Sequence, residues 1–143
     1  MIRNAKSEDI PDIQKICSLD GLKPATGCSY DNEWLEELIH SDRTFFFIYE
    51  YEGEVVGFIC AEKLISDGVL VWMCGVKEEH NNKGFGVKML QHLYEACAKR
   101  FITWMITYGC QEVPGMDQAM RKMGFQSNGS TYKEYVKPVI YTH

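Results

Sequence analysis

The sequence predicts a mixed α/β fold: a mostly antiparallel central sheet of six to seven strands with helices packed against it. Three observations predict it. Residues 45–49 (Phe-Phe-Phe-Ile-Tyr) and 55–64 are β-rich runs joined by Glu52-Gly53-Glu54, a tight turn, so they pair as an antiparallel hairpin. Residues 69–76 form a third run, followed by a helical pattern over about 84–100 and a further β-rich run over 101–108. Strand, helix and strand in that order imply a parallel, right-handed crossover. Asn128-Gly129 marks a second hairpin, between a strand starting at Phe125-Gln126 and one over 131–136.

The remaining elements follow in order. Residues 1–6 read as a first strand. Ser7 reads as the N-cap of a helix reaching about Leu19, with Glu8 and Asp9 in its first turn. Pro11 stands where a missing N–H costs little, and Ile10, Ile13, Ile16 and Cys17 supply the apolar face. Gly21, Pro24, Gly27 and Ser29 make residues 20–29 a loop. A second helix over 31–41, capped by Asp31 or Ser29, buries Trp34, Leu35, Leu38 and Ile39. Gly57 lies inside the 55–64 strand, and Ser66-Asp67-Gly68 turns the chain into the 69–76 run. After a loop holding Gly109 and Pro114, a last helix over 114–123 ends at Gly124. Pro138 ends the closing strand, and residues 139–143 extend an edge or form a loose tail.

Length and composition bound the function. At 143 residues the chain reads as one domain, 1–143, with an ordinary 45% hydrophobic and 24% charged residues. No apolar run approaches the roughly 20 residues that span a bilayer. No apolar stretch follows the basic residues of the N-terminus, so it is no signal peptide, and a cytoplasmic protein off the membrane is expected. A net charge of −5 argues against nucleic acid and is compatible with a cationic or amine partner. None of the six cysteines forms a Cys-x-x-Cys pair, so no metal site is expected. Cys60, Cys74 and Cys97 read as reduced core thiols, while Cys28 and Cys110 fall in loops.

Residues 69–90 carry the chemistry. A buried strand, 69–76, leads through a polar loop to a helix that opens with Gly84-Phe85-Gly86. Leu90, Leu93, Tyr94, Cys97 and Phe101 recur along that helix at its spacing. The first turn of a helix offers N–H groups without internal partners and partial positive charge, and glycine lets a ligand close to the backbone. This is a seat for phosphate, with Lys83, Asn81 and Asn82 as further donors at its mouth. A helix start that binds nothing is the competing reading. A dinucleotide fold would want three glycines after the first strand, and a P-loop would want Gly-Lys-Ser/Thr; neither is present.

The strand ending Val76-Lys77-Glu78 and the loop Asn81-Asn82-Lys83-Gly84-Phe85-Gly86 resemble motif A of the GCN5-related N-acetyltransferase family, Gln/Arg-x-x-Gly-x-Gly/Ala. Asn81 stands where that family has Gln or Arg, and Glu78 where it often has Pro. The opening Ile2-Arg3-Asn4-Ala5, the pair Gly57-Phe58 and the stretch Lys122-Met123-Gly124-Phe125 resemble its other motifs. Met120 replaces the family's usual tyrosine, and its usual asparagine has no match near Val113. The resemblance implies helices on both faces of the sheet, a central strand splayed at a β-bulge, acetyl-CoA as co-substrate and an amine as acceptor. It implies cofactor contacts from Met73, Cys74, Gly75, Val76, Asn81, Asn82, Lys83, Gly84, Phe85, Gly86 and Val87. Dimerisation is common in the family, which makes a homodimer compatible with it.

An acceptor amine must lose a proton before attack, and the oxyanion that forms needs a donor. For the donor the resemblance implies the backbone N–H of Val76, with the bulge eased by Gly75. Glu62, on the neighbouring strand, is the candidate base; a solvated surface carboxylate is its competing reading. Tyr108, Tyr132 and Tyr135 are candidates for protonating the thiolate, as is water, although a strand tyrosine is more often packed core. The missing tyrosine and asparagine leave a second class open: a relative that binds coenzyme A or a protein partner without turnover. Gly84→Glu is expected to remove cofactor binding and leave the fold intact.

Overall fold

The computed structural model describes residues 1–17, 31–65, 67–80, 83–110, 121, 124, 126–127 and 132–138. The element order is β1 (Ile2–Asn4), α1 (Ile10–Cys17), α2 (Asn32–His40), β2 (Thr44–Tyr51), β3 (Glu54–Lys63), β4 (Gly68–Val76), α3 (Phe85–Lys99), β5 (Trp104–Cys110), β6 (Gln126–Ser127) and β7 (Tyr132–Pro138). The loop expected over 20–29, the turn Asn128-Gly129 and the tail lie outside the described residues. So does the helix expected over 114–123, apart from Arg121. Gly124 takes φ +91° and donates its N–H to Arg121 O at 3.0 Å, as a glycine closing a helix does.

The strands form one sheet in the order β1-β2-β3-β4-β5-β7-β6. Among the described strands only β4 and β5 run parallel, with α3 as their crossover. The β2–β3 hairpin turns at Glu52 and Gly53, both at positive φ (52° and 79°), the geometry that matches the twist of paired strands.

Side chains alternate across β2, which divides the core in two. Phe45, Phe47 and Tyr49 join Val69, Val71, Met89, Leu90, Leu93 and Cys97 beneath α3. Phe46 and Ile48 join Ile10, Ile13, Ile16, Leu35, Leu38 and Phe58 beneath α1 and α2. The helices therefore cover both faces, as the resemblance implies. Asp31 caps α2 by accepting from Trp34 N–H at 2.7 Å.

Two element starts differ from expectation. Ser7 is not the N-cap of α1. Residues 7–9 form a single 3₁₀ turn, and the Asp9 carboxylate accepts from Lys6 N–H at 2.8 Å. That carboxylate, buried, also receives both arms of the Arg3 guanidinium at 2.8 Å, while Arg3 Nε reaches Glu50 at 2.6 Å. The Arg3 hydrogen bonds hold the Asp9 pKa below the usual carboxylate value. Ser7 instead donates to Glu36 of α2.

At the far end of α3, Phe101 does not begin a strand. It sits at φ +60°, its N–H donates to Ala98 O at 3.3 Å, and Ile102 N–H donates to Cys97 O at 3.1 Å. This is the double-bonded helix end usually made by glycine, here built on phenylalanine. The strand then begins three residues later, at Trp104. Among the described residues no helix is long and apolar enough to cross a membrane.

Candidate active site

The parallel pairing of β4 and β5 stops after Val71 and Thr107. Beyond that point β4 continues to Val76 paired only with β3, and β5 continues to Cys110 paired only with β7. Two strands that begin as neighbours thus part, leaving a gap bounded by the backbones of residues 72–76 and 108–110.

The cause is local. Cys60 pairs with Met73 but Ala61 pairs with Val71, so Trp72 is an extra residue on β4. The expected bulge is present at Trp72 rather than at Gly75, which stays in register opposite Phe58. The insertion reverses which face each side chain takes. Val69 and Val71 pack beneath α3, whereas Trp72 and Met73 both pack beneath α1 and α2.

Strand alternation then decides which backbone groups face the gap. Lys77 N–H donates to Val56 O of β3 at 2.8 Å. Successive N–H groups point to opposite neighbours, so those of Val76 and Cys74 point away from β3, toward the gap. Gly75 N–H turns to β3. Gly57 is a glycine for a packing reason: a Cβ there would lie 2.9 Å from Met89 Cε and 3.0 Å from Gly75 O.

The start of α3 closes one end of the gap. Gly84 is its N-cap at φ +76°, ψ 15°, and among the described residues no side chain caps the helix. Gly84 O accepts the first intrahelical bond, from Lys88 N–H at 3.1 Å. Helix geometry leaves the N–H groups of Phe85, Gly86 and Val87 without acceptors inside the helix. A Cβ on Gly86 would meet only Val76 Cγ2, at 3.8 Å, so the end of β4 and the start of α3 are in reach of one ligand.

An aromatic cluster fixes this corner. The Phe85 ring is buried and stacks on Tyr49 with ring centres 4.5 Å apart, and Tyr51 and His80 lie 5.2 and 5.8 Å from it. The Lys83 ammonium rests 5.0 Å from the centre of the Tyr51 ring and 3.0 Å from His80 Nδ1.

The acetyltransferase (GNAT) family model matches residues 10–125 of this chain. The chain belongs to the GNAT acetyltransferase family. No curated protein matches it in sequence. Solved structures match it in fold. PaiA N-acetyltransferase of Thermoplasma acidophilum, in complex with coenzyme A, superposes with a TM-score of 0.85 at 17% identity, over 96% of this chain and 98% of that one. YncA of Salmonella typhimurium, solved with acetyl-CoA, gives 0.79 at 14%, over 100% and 95%. The ribosomal-protein-S18-alanine N-acetyltransferase of Escherichia coli gives 0.78 at 13%, over 100% and 96%.

Within this GNAT fold the residues expected to hold the cofactor fall into distinct groups. Cys74, Val76, Gly84, Gly86 and Val87 border the gap or open the helix. Phe85 sends its ring into the core and offers only its backbone N–H. Met73 is buried beneath α1 and α2, and Gly75 is buried opposite Phe58. Asn81 and Asn82 lie outside the described residues.

Cys74 is not the core thiol expected of it. The residue that follows the bulge pair is exposed, while Cys60 and Cys97 are buried. Protein packed around the Cys74 thiol raises its pKa even though solvent reaches it, the situation of a group on the floor of a cleft. Burial likewise pushes Cys97 up to about 12.

Glu62 is half-buried on β3, opposite Leu70 of β4 and Thr44 of β2, one step to the closed side of the point where the gap begins. Tyr108 is the first β5 residue past the last β4 pairing, and Tyr132 stands opposite Cys110 at the outer end of that wall. Among the histidines, His92 packs edge-on against Phe47 at 4.6 Å, beneath α3. His40 meets Glu36 at 2.8 Å and Ser7 at 3.2 Å through the same ring nitrogen. A proton relay would need both ring nitrogens, so this serine, histidine and carboxylate tie α2 to the turn before α1.

Trp72 is the site residue that sequence reading missed. A bulge of this kind needs no glycine, so nothing in Val71-Trp72-Met73 marks it.

Proposed function

We propose that the chain, as one domain over residues 1–143, transfers an acetyl group from acetyl-CoA to a primary amine of a small molecule or protein, by direct attack in a ternary complex. The observation that carries this reading is the gap between β4 and β5 with the uncapped α3 start at its end. Free strand backbone beside free helix N–H groups suits an extended, amide-bearing arm that ends in a diphosphate. The binding of coenzyme A by PaiA and of acetyl-CoA by YncA, both of this fold, supports it.

Acetyl-CoA supplies the activated acyl thioester. The N–H groups of Phe85, Gly86 and Val87 take the diphosphate, with Asn81, Asn82 and Lys83 at the mouth. The backbone of Cys74 and Val76 pairs with the arm, and Val76 N–H donates to the oxygen on which negative charge develops. Glu62 takes the proton of the acceptor amine, directly or through water. Tyr108, Tyr132 or water returns a proton to the departing thiolate. The raised pKa of Cys74 disfavours the thiolate that an acyl carrier would need.

Calorimetry with acetyl-CoA followed by a thiol-release screen over amines tests the reading. Gly86→Glu is the control to choose, since a Cβ there is in ordinary contact with Val76, whereas Gly84→Glu would also strain a residue at φ +76°. Binding by the wild type, lost in folded Gly86→Glu, with thiol release for at least one amine class, is the expected result. Binding without release for any amine would favour a coenzyme A-binding member without turnover. Absence of binding refutes the reading.

A further inference from the structure

Among the described residues two buried side-chain polar atoms have no hydrogen-bond partner, Trp72 Nε1 and Thr44 Oγ1. Leaving such an atom unpaired is destabilising, so each needs an explanation. Both lie on one face of the sheet, two strands apart. Thr44 stands directly across from Glu62 on β2, and Glu62 stands across from Leu70 on β4. By strand alternation Thr44 and Glu62 share the face of Phe46 and Cys60, beneath α1 and α2. Trp72, following Val71, lies on that same face, where its ring meets Trp34 of α2 edge-on, with centres 6.5 Å apart. Trp72 is also the residue at which β4 leaves β5. The unpaired donor therefore sits beside the gap, on the face opposite α3.

We propose that Trp72 is a specificity determinant for the acceptor. Its indole N–H, on the same face of the sheet as Glu62, donates to an acceptor amine that carries a hydrogen-bond-accepting oxygen close by, as an amino-acid amide or a peptide N-terminus does. The amine lies toward Glu62 and the neighbouring oxygen accepts from Trp72 Nε1. This rests on the acetyl-transfer reading and adds to it the chemistry of the acceptor. A site built around a donor rejects the analogue that lacks the matching oxygen, because the donor is then buried unpaired.

The test uses two amines of one shape, L-alaninamide and isopropylamine, which differ by the carboxamide. Wild type is expected to favour alaninamide by about tenfold in kcat/KM, the worth of one well-placed hydrogen bond. Trp72→Phe keeps a ring and removes the N–H. It should erase most of that preference through the KM for the amine, leave acetyl-CoA affinity unchanged, and leave Tm unchanged or raised because an unpaired donor is gone. A purely structural Trp72 would instead lower Tm and keep the preference, which overturns the proposal. As a readout free of turnover, the Trp72 indole N–H resonance of the coenzyme A-saturated protein should shift with alaninamide and not with isopropylamine. No shift overturns the proposal even if other amines are acetylated. A protein that binds no acetyl-CoA removes the underlying reading instead.

Discussion

Replacing Gly57 with alanine would insert one methyl group where β3, β4 and α3 meet most closely. The new carbon would lie 2.9 Å from Met89 Cε, 3.0 Å from Gly75 O and 3.5 Å from Met89 Sδ, against the 3.5–4.0 Å of a relaxed carbon contact. The Met89 methyl is the end of a flexible side chain and can retreat, although Met89 is fully buried. The Gly75 carbonyl belongs to the backbone that borders the gap and cannot move without it. Overpacking of this kind costs about 1–3 kcal/mol, and the lower chain entropy of unfolded alanine returns about 0.4–1 kcal/mol. A net loss of about 1.5 kcal/mol follows. At about 2.1 cal/mol/K per residue, a chain of 143 residues has an unfolding entropy near 0.3 kcal/mol/K, so Tm should fall by about 5 °C.

Thermal and urea unfolding would measure the loss, and a double-mutant cycle with Met89→Ala would apportion it. In the Met89→Ala background the methyl group partly fills the cavity, so Gly57→Ala should cost about 1 kcal/mol less there. An alanine that is neutral in the wild type would refute the close packing inferred at this junction. An equal cost in both backgrounds would leave the carbonyl, not Met89, as the obstacle.

Three further outcomes are expected from the same structure. Gly84→Ala should lower Tm by a few degrees through backbone strain alone, about 1–2 kcal/mol, since nothing lies within 4 Å of the added carbon; Gly86→Ala should leave Tm nearly unchanged. Asp9→Asn should cost about 2 kcal/mol by weakening the two-armed contact with Arg3, seen as a lower urea midpoint. The Asp9 contribution has a defined pH sense. Its folded pKa lies below the unfolded value of 3.8, so the stability is fully present above that value and is lost as pH falls through the lower, folded pKa; acid titration of Asp9→Asn should be flatter there. Phe101→Gly should raise Tm by a few degrees, because the residue is exposed and held at φ +60°.

The parts of the fold that were legible in the sequence are those whose cause is local. The β-rich run of Phe45 to Tyr49, the Glu52-Gly53 turn, the Asp31 cap and the glycine at the start of α3 each follow from neighbours within four residues. What escaped had its cause elsewhere. Ser7 looks like a cap, but residues 7–9 form a 3₁₀ turn closed by Asp9, whose carboxylate accepts from Lys6 N–H and is held by Arg3 of β1. Phe101 carries no mark of a helix end, since the backbone bonds there do not depend on its side chain. The extra residue at Trp72 is visible only once β3 is laid beside β4, and with it the exposure of Cys74 and the direction of Val76. The glycines of the α3 start could thus be picked out from the sequence alone, while the shape of the gap could not.

That extra residue has a mechanical meaning. One strand is anchored to the lower core by Val69 and Val71, and to the upper core by Met73, with the change of allegiance falling between them. Sliding β4 by one position to rejoin β5 would pull both anchors loose together. The opening is therefore a fixture of the scaffold rather than a door, ready before any guest arrives.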